Sequence, residues 1–145
     1  MVIVGHREIR VKTTFTVLAV ILLMAACSRQ SDEDAALRTK IIGTWTTADV
    51  VLPDLAQVSD VTSTFQSDGS WINRYTITRA GGSRKQMTSG TWQIEKGFMI
   101  ELQTNADGVV DTTEKPGNSK IIRLDSHEMV LSNYYSPRRV FIRKQ

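Results

Sequence analysis

From Ile41 onward no stretch of this chain sustains a helical period. Apolar and polar residues alternate instead in short runs broken by turn residues, the pattern of half-buried β-strands. It predicts strands near Gly43–Val50, Val61–Gln66, Trp71–Thr78, Lys85–Glu95, Phe98–Thr104, Val109–Thr113, Lys120–Asp125, Glu128–Asn133 and Arg139–Lys144. Turns fall between them at Ser67-Asp68-Gly69-Ser70, Ala80-Gly81-Gly82-Ser83, Glu95-Lys96-Gly97, Asn105-Ala106-Asp107-Gly108, Pro116-Gly117-Asn118 and Asp125-Ser126-His127. The connections are short, so sequence neighbours should pair as an antiparallel meander. An all-β chain of this kind closes most economically into a small up-and-down barrel of about eight strands, which leaves no exposed sheet edge.

Alternation also nominates an inward face. The expected interior residues are Trp45, Phe65, Trp71, Tyr75, Ile77, Trp92, Ile94, Phe98, Ile100, Leu102, Ile122, Leu124, Met129, Leu131 and Phe141. Phe98, Ile100 and Leu102 carry the period of two most cleanly, which would turn Glu101 outward.

The chain ahead of the barrel has a different character. Arg7, Arg10 and Lys12 precede an apolar run from Phe15 to Ala26, interrupted only by Thr16, and the run stops at Cys27, the one cysteine of the chain. That is the layout of a secretory signal, and the run is well short of the roughly 20 apolar residues that span a bilayer. Removing 26 of the 145 residues leaves 119, enough for one domain with a sizeable core. It also removes three basic residues and one acidic one, taking the formal net charge from +3 to about +1. A charge so close to zero gives no reason to expect a nucleic-acid partner. Ser31-Asp32-Glu33-Asp34 then reads as an N-cap with acids in a first helical turn, and Ala35 to Lys40 completes a short helix. A disordered polar tether over the same residues is the alternative.

Leu23-Met24-Ala25-Ala26-Cys27 resembles the signal of bacterial lipoproteins. The resemblance implies that residues 1–26 are a signal peptide cut just before Cys27, and that Cys27 is acylated and becomes the first residue of the mature protein. Residues 27–40 would be anchor, tether and helix, and residues 41–145 the barrel. Two or three acyl chains hold a protein stably in one leaflet. By the sorting rule of that family, Ser28 in place of aspartate directs the protein to the outer membrane, facing the periplasm.

Gly43-Thr44-Trp45 opens the first strand after the short helix and resembles the Gly-x-Trp start of lipocalins and their calycin relatives. Phe65-Gln66-Ser67-Asp68-Gly69 and a second Gly90-Thr91-Trp92 bring the chain nearer to the bacterial lipocalin-like lipoproteins. The resemblance implies that Trp45 packs across the closed end of the barrel, that Gly43 lets the chain pass beneath it, and that a basic residue of the last strand covers the indole. Arg139 and Arg143 are the candidates, and Arg139 is the assignment made here.

Asp49 to Asp60 is a long connection that carries Val50, Val51, Leu52, Pro53, Leu55 and Val58. It reads either as an apolar lid over a hollow barrel or as a plug that completes a solid core. For a hollow barrel the expected occupant is a small hydrophobic ligand, with Trp71 and Tyr75 as wall residues because they join aromatic bulk to a polar tip. For a solid one the expectation is an accessory or inhibitor protein that binds another envelope protein. No cofactor is expected.

Catalysis and metal binding are argued against. The barrel region has one histidine, His127, flanked by Ser126 and Glu128. Side chains adjacent in sequence point apart, so these three do not make a triad. No cluster of ligands has metal-site spacing, and the acids near Asn105 and Asp107 lack calcium-loop periodicity.

Overall fold

Two-residue turns set the geometry of the sheet. Lys96 and Gly97 both take positive φ (54° and 76°), as do Asp107 and Gly108 (51° and 84°). Consecutive left-handed residues match the right-handed twist of the strands they join, so each such turn makes a tight hairpin. The computed structural model of the chain describes residues 30–52, 54, 56–110, 115–134 and 136–145. The proposed signal peptide and Cys27 lie outside the described residues.

A helix, α1, runs over residues 30–41. Ten strands follow: β1 Gly43–Thr47, β2 Val50–Val51, β3 Gln57–Phe65, β4 Ser70–Arg79, β5 Gly82–Glu95, β6 Phe98–Ala106, β7 Val109–Val110, β8 Gly117–Leu124, β9 Glu128–Ser132 and β10 Arg139–Arg143. Eight of them form an antiparallel barrel in the order β1-β10-β9-β8-β6-β5-β4-β3, and pairing of β1 with β3 closes it. The two-residue strands β2 and β7 lie beside β3 and β6. This is the closed all-β antiparallel barrel that the alternation predicts, preceded by one short helix. The strand expected at Val109–Thr113 is shorter than expected, since β7 ends at Val110 and residues 111–114 lie outside the described set.

The core gathers Ile41, Trp45, Phe65, Trp71, Trp92, Met99, Met129, Leu131 and Phe141, with Ile42, Ile94, Ile121 and Leu124 packed against it. It fills the end of the barrel that α1 caps. The three indole N–H groups all reach backbone carbonyls: Trp45 to Ile41 (2.8 Å), Trp71 to Thr91 (2.9 Å) and Trp92 to Gln66 (3.1 Å). Each tryptophan therefore buries its bulk without stranding its one donor. Asp34 of α1 accepts bonds from the N–H groups of Lys96 (2.7 Å) and Gly97 (2.9 Å), and Arg38 stacks over the Trp92 ring at 5.1 Å. These contacts fasten the helix over the closed end.

The inward face of β6 is the opposite of the expected one. Met99 is buried, whereas Phe98 is 41% exposed. Ile94 pairs with Met99, Trp92 with Glu101, and Met99 with Ser119. Since Trp92 and Ser119 are buried, Met99 and Glu101 point inward, and Phe98, Ile100 and Leu102 line the outer face. The Lys96-Gly97 turn enforces this, because a two-residue loop makes Glu95 and Phe98 directly opposite partners. Ile122 is likewise outward, at 56% exposed, next to a register shift in β8 that turns Ile121 to the core.

Candidate functional site

The closed end is organised by Gly43, Trp45 and Arg143. Trp45 and Arg143 are direct partners across the β1–β10 ladder. The Arg143 guanidinium lies 4.1 Å from the Trp45 ring centroid, donates to the carbonyl of Ile42 (3.0 Å), and reaches the carbonyl of Lys40. Arg143 thereby satisfies helix-end acceptors and covers the indole together. The assignment of this role to Arg139 is corrected. Arg139 stands four residues earlier on β10, opposite Leu131, and stacks on Phe141 at 4.8 Å. Gly43 is needed for a related reason: its φ is +135°, and a Cβ there would stand 2.5 Å from Arg143 Nη1.

Above the aromatic core the inner wall becomes polar. Ser63, Thr88 and Ser119 are buried, and the Oδ1 of Asn73 is buried with no hydrogen-bond partner among the described residues. Ser63, Asn73 and Thr88 follow one another across β3, β4 and β5. Glu101 faces the interior from β6, opposite Trp92. Burial pushes its carboxyl above the usual carboxylate range, and the positive charge of Arg139 pulls against that shift. Sequence reasoning placed Glu101 outside, although the spacing of Trp92 and Glu101 about the two-residue turn carried the signal that it faces in.

The open end is built by the β4–β5 hairpin. A hollow of about 750 Å³ lies there, bordered by Asp60, Arg74, Tyr75, Thr76, Arg84, Lys85, Gln86, Met87 and Asp107. The register puts Tyr75 and Gln86 on the face of Trp71, and Arg74, Lys85 and Met87 on the other. The hollow draws on both faces, so it is an open depression at the mouth and distinct from the packed interior. Tyr75 borders it. Trp71 does not: it is a core residue, bound to the Thr91 carbonyl.

Asp107 organises the polar side of this hollow. Its carboxylate accepts from the Met87 N–H (2.8 Å) and the Gln86 amide (2.9 Å) and pairs with Arg84. The Met87 N–H above all, then Arg84, hold it below the usual carboxylate range. Burial pushes the Tyr75 phenol up, with the Asp107 charge adding and Arg84 opposing, so the hydroxyl stays protonated and able to donate.

The connection after β1 is tied down locally. Leu52 N–H donates to Ala56, and the Asp54 carboxylate accepts from the Ala56 N–H (3.2 Å) and pairs with Arg79 (3.2 Å). Val51 is 67% exposed and Ala56 buried, while Pro53 and Leu55 lie outside the described residues. His127 sits in a turn whose shape comes from Asp125, which accepts from the N–H groups of His127 and Glu128 (both 2.8 Å).

No family model matches the sequence, and no curated protein matches it. Among solved structures the chain is similar to a lipocalin-like protein from Bacteroides uniformis, at 16% identity and a TM-score of 0.51, over 72% of this chain and 99% of that one. An uncharacterized protein from Bacteroides eggerthii aligns over the same shares, at 16% identity and a TM-score of 0.47. The first likeness agrees with the topology above: the chain has a lipocalin-like barrel fold.

Proposed function

We propose that this protein is a lipid-anchored binding module of the cell envelope. Acyl chains on Cys27 hold it in the outer membrane with the barrel facing the periplasm, and the open end receives a small molecule with a substantial apolar part. The observation that carries the binding half of this reading is the hollow of about 750 Å³ at the barrel mouth, a size within the range of small-molecule sites, with Tyr75 and Met87 at its border. The anchoring half is supported by the run from Phe15 to Cys27. No catalytic step belongs to this reading.

A second reading, an accessory or inhibitor protein that binds another envelope protein, is favoured by Phe98 and Ile122. These are large apolar side chains exposed on adjoining outer strands.

A native mass spectrum of residues 28–145, which keep the whole compact unit from Asp34 onward, tests the two. A bound small molecule that leaves on denaturation is the expected result. A spectrum that stays free of ligand after incubation with envelope extracts sinks the binding reading and leaves the accessory one.

A further inference from the structure

Resting on the binding reading above, we propose that the hollow at the barrel mouth selects an organic anion, its apolar body against Met87 and its acidic group on Arg74 and Lys85. The acids at the border are already engaged. Asp107 is taken up by Arg84, Gln86 and the Met87 N–H, and Asp60 accepts from the Thr76 hydroxyl at 3.2 Å. Asp60 keeps acceptor capacity, but Arg74, Arg84 and Lys85 outnumber Asp60 and Asp107 around the hollow, so its border is net positive.

The cations are in the opposite condition. Arg74 and Lys85 are exposed, both border the hollow, and among the described residues neither has an ion-pair partner. Arg74 stands opposite Met87 on the β4–β5 ladder, and Lys85 opposite Thr76. The two cations and the thioether therefore share one face two positions apart. Met87 is 39% exposed, an apolar surface set beside two cations on a border with a positive excess. Such a surface complements a molecule with a flat or flexible hydrocarbon body and a carboxylate, sulfonate or phosphate at one end.

Exposed charge contacts contribute little individually, so the preference is modest and salt-sensitive: about threefold to tenfold in affinity for two cations at low ionic strength. Two dyes with the same aromatic body separate the terms, anilinonaphthalene sulfonate carrying an anion and phenylnaphthylamine carrying none. Fluorescence titration of residues 28–145 should show tighter binding of the sulfonate, a preference that fades as salt is added. The Arg74→Gln/Lys85→Gln double variant should lose the preference and keep its affinity for the neutral dye, with an unchanged melting temperature because both side chains are exposed. Equal binding of the two dyes, or a sulfonate preference that survives in the variant, overturns the anion assignment while the binding reading stands. Failure of both dyes to bind the unmodified chain counts against the binding reading itself.

Discussion

The guanidinium of Arg143 lies over Trp45, at 4.1 Å from the ring centroid, and serves the ring and the end of α1 at once. One side chain thus joins the last strand, the first strand and the helix. Arg143→Met should lower stability by about 1–3 kcal/mol, from the lost cation–π contact and from helix-end carbonyls left without their donor. Arg139→Met should not reproduce that loss at the closed end. Urea unfolding of the two variants, followed by tryptophan fluorescence, makes the comparison.

Gly43 and Arg143 are coupled through space. Gly43→Ala forces a methyl group toward Nη1 in a backbone region that L-residues avoid. The double variant Gly43→Ala/Arg143→Met should be less destabilised than the sum of the singles, since the second change removes the atom that the first one meets. A double-mutant cycle in urea reads the difference directly, and strict additivity would contradict the coupling.

Gly90 is required for a different reason. A Cβ there would collide with the Leu102 carbonyl and stand 2.9 Å from the Cα of Gln103, all backbone of β6. Gly90→Ala should cost about 3 kcal/mol or more, because two paired strands must separate. Gly81, in the β4–β5 turn, has open space around it, so Gly81→Ala should change stability by no more than about 1 kcal/mol. Thermal melts of both variants check the contrast.

Glu101 predicts a pH dependence with a definite sign. Its carboxyl is held above the unfolded value by burial, so the folded chain keeps a proton that the unfolded chain releases. The stability this contributes is complete below the ordinary glutamate value of about 4.3 and is lost as pH rises through the folded value. Glu101→Gln should therefore raise the melting temperature at pH 8 and leave it nearly unchanged at pH 4. Asp107, held low, works in reverse, its contribution fading as the solution is acidified. Melting curves of the Glu101→Gln protein that run parallel to those of the unmodified one would refute the assignment.

Cys27→Ser tests the proposed anchor. With each buried methylene worth roughly 0.8 kcal/mol, loss of the acyl chains should abolish stable membrane attachment. The expected outcome is no incorporation of labelled palmitate and a shift out of the outer-membrane fraction, read by sucrose-gradient sedimentation.

Much of the barrel is written in the alternation itself. Trp45, Phe65, Trp71, Trp92, Met129, Leu131 and Phe141 are expected inside and are there. The failure at β6 is instructive, because Phe98-Met99-Ile100 is apolar on both faces and hydrophobicity alone selects the wrong phase. The two-residue turn at Lys96-Gly97 fixed the phase, a constraint on backbone geometry that outranks the pattern. Arg143 over Arg139 was a matter of register, which depends on where β10 slides along β1 and is not encoded locally. The hollow at the mouth was least legible. It depends on how far the β4–β5 hairpin extends and on Asp107 reaching back to Met87, a contact across 20 positions.

Closure of the barrel through β1 has a consequence for how the molecule must be made. Thr46 bonds to Ile142 across 96 positions, and β1 lies between β3 and β10. A chain emerging amino end first can assemble the sheet from β3 to β9 as it appears, since each barrel strand pairs with the barrel strand before it. It cannot seal until β10 is free to pair with both β1 and β9. Until β10 docks, the sheet carries two unpaired edges, on β1 and on the barrel strand formed last, and the long loop that β10 must close makes sealing the slow step. Loss of the last handful of residues would leave the protein permanently at that unsealed stage, with Trp45 uncovered.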